Sequence, residues 1–421
     1  MRVAHSTEES SKPRGSRRRT LAGCGAALLL LALIPVAYLV WANTPPAIPP
    51  DTRVYPTPNG YDRLRAAAMK LTASEGDSPL AKAAEGDPEA LRRALAADPA
   101  QRAALEEVRQ ALKLDAMTPP STGFEELYPH LARYREAARR FAAESRVADH
   151  DGNSNRAAQS AINAVELGSR SSPGGGIIHH LVAVACASIG VAALEGMESD
   201  LSADEARRAG ERLDRVMAQF SRAPDMFREE KRSALTGLAQ VFSGKVALNP
   251  GAPTAGSSTE SRGWFLFFYP KPLSYAAISS GFDRMAAEAE KPYVQRVPIE
   301  PPTEMFASLL MPVFQEAGLA LTRGETSVAL ARGALALREF RQRRGRYPES
   351  LAELGQVTGV SLAPDPFTGQ PLRYRRTNGD YLLYSVGPDG VDDGGRPLAV
   401  RDTKKEARGD LLWGSLYPPR K

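Results

Sequence analysis

Leu21 to Trp41 is a run of 21 residues without a charged side chain. At 1.5 Å per residue, a helix of that length reaches about 30 Å, enough to cross the hydrocarbon core of a bilayer. Arg17, Arg18 and Arg19 precede the run directly, with Lys12 and Arg14 further back. Tyr38 and Trp41 stand at its far end, where aromatic rings favour the membrane interface. This asymmetry predicts a basic cytoplasmic tail (1–20), a membrane helix (21–41) and an extracytoplasmic body (42–421). The expected location is the inner, cytoplasmic membrane, crossed once with the N-terminus in the cytoplasm. Val40-Trp41-Ala42 offers a small-residue cleavage site, but the run exceeds the usual signal-peptide core, so an uncleaved signal-anchor is favoured. Ser16-Arg17-Arg18-Arg19 matches a twin-arginine signal in part, with Thr20 where a bulky apolar residue is usual. Cys24 stands near the start of the apolar run instead of following it, which excludes a lipidation box.

A formal net charge of +5 is small for 421 residues. The basic side chains, mostly Arg, are scattered and form no stripe with interleaved aromatics, so no nucleic-acid partner is expected. Of the two cysteines, Cys24 lies in the membrane run and Cys186 in an apolar helical stretch. The exported body therefore has no pair to bridge, and Cys186 reads as a small core residue.

The body is expected to be mainly α with a C-terminal α+β module. Six prolines between Pro45 and Pro58 make residues 42–60 a stiff linker. Residues 61–247 carry helical periodicity. Helices are expected at Gly60 to Thr72, Pro88 to Leu112, Phe124 to Val147, Arg156 to Leu167, Gly176 to Met197 and Ala203 to Phe220. Ser171-Ser172-Pro173 reads as the start of one helix, and Ser202-Ala203-Asp204-Glu205 as a capping box. The Phe124–Val147 and Arg156–Leu167 pair looks like a helical hairpin of tetratricopeptide (TPR) type, although no fixed period repeats. Residues 248–303 read as a loop and aromatic connector around Trp264–Tyr269. From Glu304 a long helix should run to about Arg343, bent at Pro312. On it Leu330, Ala334, Leu337 and Phe340 form an apolar stripe, with Arg332, Glu339 and Arg343 on the opposite face.

Two strand-like runs close the pattern, with Thr377-Asn378-Gly379-Asp380 as the hairpin turn between them. They end in Val386-Gly387-Pro388-Asp389-Gly390-Val391-Asp392-Asp393-Gly394-Gly395. Glycines let such a loop bend tightly, and its three carboxylates can gather oxygen ligands around a hard cation, most plausibly calcium. A solvated acidic turn fits the same residues.

The stretch from about Thr326 to Gly395 resembles the soluble domain of the major pseudopilin of type II secretion systems. The corresponding residues are Gly345-Arg346-Tyr347-Pro348, Asp365-Pro366, Gly369-Gln370-Pro371, Tyr374 and Ser385-Val386-Gly387-Pro388-Asp389-Gly390. The resemblance implies a pseudopilin-like domain at 304–421, with a long helix and a small antiparallel sheet. It also implies a structural calcium held by Asp389 and the Val386 carbonyl, with Asp392 or Asp393 replacing a second acidic ligand. More broadly the layout looks like a group of bacterial single-pass envelope proteins. Pseudopilins begin with a short leader cut before a helix that runs straight into the soluble domain. Here some 280 residues separate Trp41 from Thr326, so fibre assembly by the standard route is not expected.

Other motifs read as structural. The stretch Asp149–Asn155 spells part of an EF-hand, but Arg156 and Ile162 occupy the positions that need Gly and Glu. His179 and His180 are adjacent, so on a helix their rings diverge by about 100° and do not share a metal. Gly174-Gly175-Gly176 reads as a flexible turn. No nucleophile elbow, zinc-protease motif or phosphate loop is present. The expected function is a non-enzymatic, membrane-anchored scaffolding or binding protein with an envelope protein as partner. The alternatives are a component of a secretion or pilus-like machine, or an extracytoplasmic enzyme with its site in the helical domain.

Overall fold

A computed structural model of the chain describes residues 33–72, 87–123, 126–246, 268–300, 302–398 and 408–415. The fold is mainly helical, with one small antiparallel sheet. Helix α1 (Leu33–Asn43) is the described part of the apolar run; residues 21–32 lie outside the described residues. The body begins with α2 (Gly60–Ala68), α3 (Pro88–Ala96) and α4 (Pro99–Ala111). One helix was expected from Pro88 to Leu112. It is split because Asp98 turns out to cap the second half, accepting the Ala100 and Gln101 amides, and Pro99 cannot donate backward.

Helices α5 (Pro129–His150) and α6 (Ser154–Ser171) form the expected hairpin, closed by a turn in which Asn153 accepts the Arg156 amide at 3.1 Å. Helix α7 (Ile177–Leu194) lies against α6 and is the most apolar of the body. Its start corrects the sequence reading. Helix α6 runs through Ser171, Ser172 ends it, and Glu230 receives the Ile177 amide at 2.8 Å. By length and composition α7 alone among the described helices could cross a membrane. Half of it is buried between α6 and the long helix, as in the core of a globular body. Two glycines permit that closeness. A Cβ at Gly190 would stand 2.5 Å from the Ala161 carbonyl oxygen, and one at Gly168 would strike the Ala183 carbonyl.

Helix α8 (Ala203–Met217) starts at the expected capping box, and α9 (Ala223–Ser243) follows. The connector is more ordered than a loop: α10 (Lys271–Ala289) packs on α9 through Tyr275, Ile278 and Phe282. The run Trp264–Phe267 lies outside the described residues, while Phe268 is exposed and Tyr269 packs at the edge of the core. Helix α11 (Met305–Arg344) extends 40 residues, unbroken through Pro312. Gly345 stops it in a left-handed conformation, φ 71°. Helix α12 (Leu351–Thr358) leads to β1 (Arg373–Arg376), β2 (Tyr381–Ser385) and β3 (Leu411–Leu412), paired in that order. The four-residue turn forms as expected, with Arg376 opposite Tyr381.

Both faces of α11 are buried, which the sequence pattern did not indicate. Leu330, Leu337 and Phe340 face the sheet together with Leu354, Leu372 and Leu383. On the other side Val328, Ala331 and Leu335 join the core of α6, α7 and α8. Arg332 and Glu339, assigned to a face opposite the apolar stripe, are buried. Arg332 Nε bonds Asp214 on α8 at 2.8 Å, and Glu339 pairs with Arg343 at 2.6 Å. The long helix is thus a shared spine, and the packing is continuous across position 304.

Candidate functional site

The Asp-Pro turn and the Gly-rich loop meet at the end of β2. Asp365 is 2 % exposed and accepts the Phe367 amide at 2.9 Å and the Ser385 hydroxyl at 2.9 Å. Ser385 Oγ in turn accepts the Gly387 amide at 3.2 Å. Burial pushes the Asp365 carboxyl up, and these donors draw it back. The turn also ties down the connector, because Tyr293 and Val294 donate to the Pro366 and Phe367 carbonyls at 3.2 and 3.0 Å. Tyr374 donates to the Pro348 carbonyl at 2.7 Å, fixing the Gly-Arg-Tyr-Pro turn to β1.

The loop carboxylates point to separate partners. Asp389 accepts the Val391 amide at 3.2 Å. Asp392 takes the Tyr384 hydroxyl at 2.9 Å, the Gly394 amide at 3.0 Å and Arg373 Nε at 3.3 Å. Asp393 has one buried oxygen without a hydrogen-bond partner, and Val386 is buried at the end of β2. Among the described residues no three His, Cys, Asp or Glu side chains converge on one point. The structure adds a carboxylate that the sequence did not single out. Asp410, 1 % exposed, accepts the Gly395 amide at 2.7 Å and the Asp393 amide at 3.4 Å. It comes from just before β3, beyond the motif, and nothing local to the loop signals it.

The staple carries a test. Asp365→Ala strands the buried Phe367 amide and Ser385 hydroxyl, at a cost of about 3 kcal/mol; Asp365→Asn keeps one acceptor and costs less. Chemical denaturation of the full chain reads both losses. Calcium at millimolar concentration should leave them unchanged, because Asp389 and Asp392 already accept hydrogen bonds within the protein. A rise in Tm with calcium that Asp389→Ala removes would restore the cation site.

A second feature is a group of buried histidines and tyrosines. The Tyr61 hydroxyl lies 3.1 Å from His130 Nε2, and the Tyr128 and His179 rings stack edge-on at 4.6 Å. His130 Nδ1, His179 Nε2 and the Tyr134 hydroxyl have no hydrogen-bond partner. Burial lowers both histidines to about 4. His179 and His180 do diverge: His180 turns the other way, its Nδ1 3.1 Å from the Gly176 carbonyl and its Nε2 facing the Ser221 backbone without normal hydrogen-bond geometry.

His180 borders the third feature, a cavity of about 380 Å³ between the helical body and the C-terminal module. Its walls come from α7, α9, α10, α11 and the Ala363–Pro366 loop, and they are mostly apolar. Glu325 and Arg296 supply the polar groups. Glu325 is enclosed by the walls yet open to the cavity space, and burial raises its carboxyl against the pull of Arg296. Arg296 is held by the Lys291 carbonyl at 3.0 Å and the Thr322 hydroxyl at 3.5 Å. At the rim, Arg222 pairs with Glu290 at 3.1 Å.

No family model, curated protein or solved structure matches this chain. The reading of its function rests on these three features and on the apolar run. Of the cavity's polar residues only His180 was singled out in the sequence, and not for this site. They come from four segments, between His180 and Glu325, that only the fold brings together.

Proposed function

We propose that the chain is a membrane-anchored envelope protein whose extracytoplasmic body binds a partner through the apolar cavity. The cavity carries this reading. Concave, mostly apolar walls with a few fixed polar groups suit an apolar ligand group or side chain with a hydrogen-bonding head. Glu325 would accept from that head, with Arg296 nearby favouring its ionised form against burial. The anchor is supported by α1, which leaves Leu33, Ile34, Val36, Leu39, Val40 and Trp41 exposed. An apolar surface of that extent suits lipid better than water.

In this reading the α5–α6 hairpin is a TPR-like scaffold, and residues 304–421 are a pseudopilin-like module that closes the cavity. The pseudopilin likeness draws support from the order long helix, Gly345 stop, short helix, hairpin and Asp389 loop. Binding without catalysis, and an envelope protein as the partner, belong to the same proposal.

Exposed Ala363 at the cavity rim provides the test. In a Cys24→Ser background, Ala363→Cys should react with a membrane-impermeant maleimide added outside cells whose outer barrier has been opened. Labelling only after the inner membrane is lysed would reverse the orientation.

A further inference from the structure

We propose that a second, polar cavity on the helical body binds an acidic ligand through its carboxylate or phosphate oxygens, independently of the apolar cavity. This cavity has a volume of about 400 Å³ and is built from the end of α4, from α5, α6 and α8. Four cations, Arg109, Lys113, Arg156 and Arg212, line it together with two carboxylates, Glu144 and Glu166.

The ion pairs do not use all of the positive charge. Arg109 pairs with Glu144 at 2.6 Å and with Glu106 beside the cavity, and Arg212 pairs with Glu166 at 2.6 Å. Arg212 is further fixed by Asn163 Oδ1 at 2.6 Å and Gln159 Oε1 at 2.7 Å. The four lining cations exceed the two lining carboxylates by two, and Glu106 beside Arg109 brings the local excess to one; Lys113 and Arg156 are the cations left outside the pairs. Neither makes an ion pair among the described residues; Lys113 touches only the neutral Gln110 amide oxygen, at 2.7 Å. Arg156 nevertheless lies close enough to Glu144 to help hold its carboxyl down against burial.

A concave wall with a net positive charge and two cations outside ion pairs, beside a rigid Arg212, focuses positive potential into the cavity. Guanidinium and ammonium donors favour oxyanions, in bidentate fashion where Arg is concerned. The internal carboxylates are satisfied by Arg109 and Arg212, so they do not neutralise the remaining pair. The cavity therefore suits a compact anionic group at the end of a ligand or peptide.

The test uses the full chain in phosphatidylcholine nanodiscs at low salt, with a labelled tetraglutamate peptide, citrate and inorganic phosphate as probes. At least one should bind, and binding should fall at least tenfold in the double variant Lys113→Gln, Arg156→Gln. The control Arg63→Gln, Arg102→Gln removes the same charge from exposed positions outside the cavity and should leave binding unchanged. Both pairs are exposed, and melting curves check that the fold persists. Binding of the peptide or citrate alone assigns carboxylate recognition; binding of phosphate alone assigns phosphate recognition. The proposal is overturned if no probe binds at millimolar concentration, or if both double variants weaken binding equally. Neither failure touches the apolar cavity, which is tested at Ala363.

Discussion

Acidification from pH 6.5 to pH 4 is expected to remove several kcal/mol of stability from the body. His130, His179 and His180 are 2 %, 3 % and 4 % exposed, and burial brings each from 6.5 to about 4. They are neutral in the folded protein, whereas the unfolded chain takes up protons as the pH passes 6.5. Stability is therefore full above that pH and drains away below it, by about 3 kcal/mol per histidine once pH 4 is reached. The groups around them do not rescue the charge. His130 is surrounded by Tyr61, Tyr128, Tyr134 and His179, with Arg65 opposing protonation and Glu126 favouring it weakly. Around His180, the Gly176 carbonyl and Asp225 favour the proton but burial outweighs them. Buried carboxyls such as Glu144 and Glu230 work the other way, since their raised values favour the folded state as the pH falls. The histidine share is isolated by difference. Urea denaturation between pH 7.5 and 4.5 should show a shallower loss in His179→Gln and His180→Gln than in the parent. Equal slopes would mean that the imidazoles already titrate normally in the folded state.

The second large effect lies at the crossing of α6 and α7. Gly168 and Gly190 let the two backbones approach until carbonyl oxygens occupy the space a side chain would need. Val at Gly190 cannot be accommodated by a rotamer change, because the obstruction is the Ala161 carbonyl and the Val165 amide. The helices must separate, at about 3 kcal/mol for each substitution. In a body of this size that lowers Tm by about 4 °C for each substitution. Gly168→Val with Gly190→Val together should bring a domain of ordinary stability close to unfolding. The contrast is Gly318→Ala on α11, where a Cβ meets only Arg296 Nη1 at 3.7 Å. That change should stabilise the chain by about 0.5–1 kcal/mol through helix propensity. Thermal melts followed by far-ultraviolet circular dichroism give both signs. Unchanged Tm in Gly190→Val would show that the crossing is looser than this geometry.

Local signals in the sequence were read reliably where one residue settles a local choice. The capping box at Ser202, the hairpin turn at Thr377–Asp380 and the Gly345 helix stop all form. The α5–α6 hairpin and the stripe on α11 were legible for the same reason, since periodicity marks a buried face. Periodicity does not reveal a second buried face when that face is small or paired. The Arg332 side of α11 read as a polar face because its partner, Asp214, is 118 positions away. The break at Asp98-Pro99 was visible as residues, yet the apolar spacing on either side hid it. The loop after β2 was legible only in part. Asp389 and Asp392 take separate partners in the fold, and a fourth acid, Asp410, arrives from just before β3. Neither cavity was legible, because each gathers side chains from several distant helices.

Photo-crosslinking at the cavity rim tests most directly whether the apolar cavity is a binding site in the envelope. Benzoylphenylalanine replaces Ala363 in the full chain, with exposed Glu349 as the control position outside the cavity. Illumination of intact cells should give a discrete adduct from position 363 that Glu325→Ala weakens, and none from position 349. The same adducts from both positions, or none from 363, would contradict a binding role for this cavity.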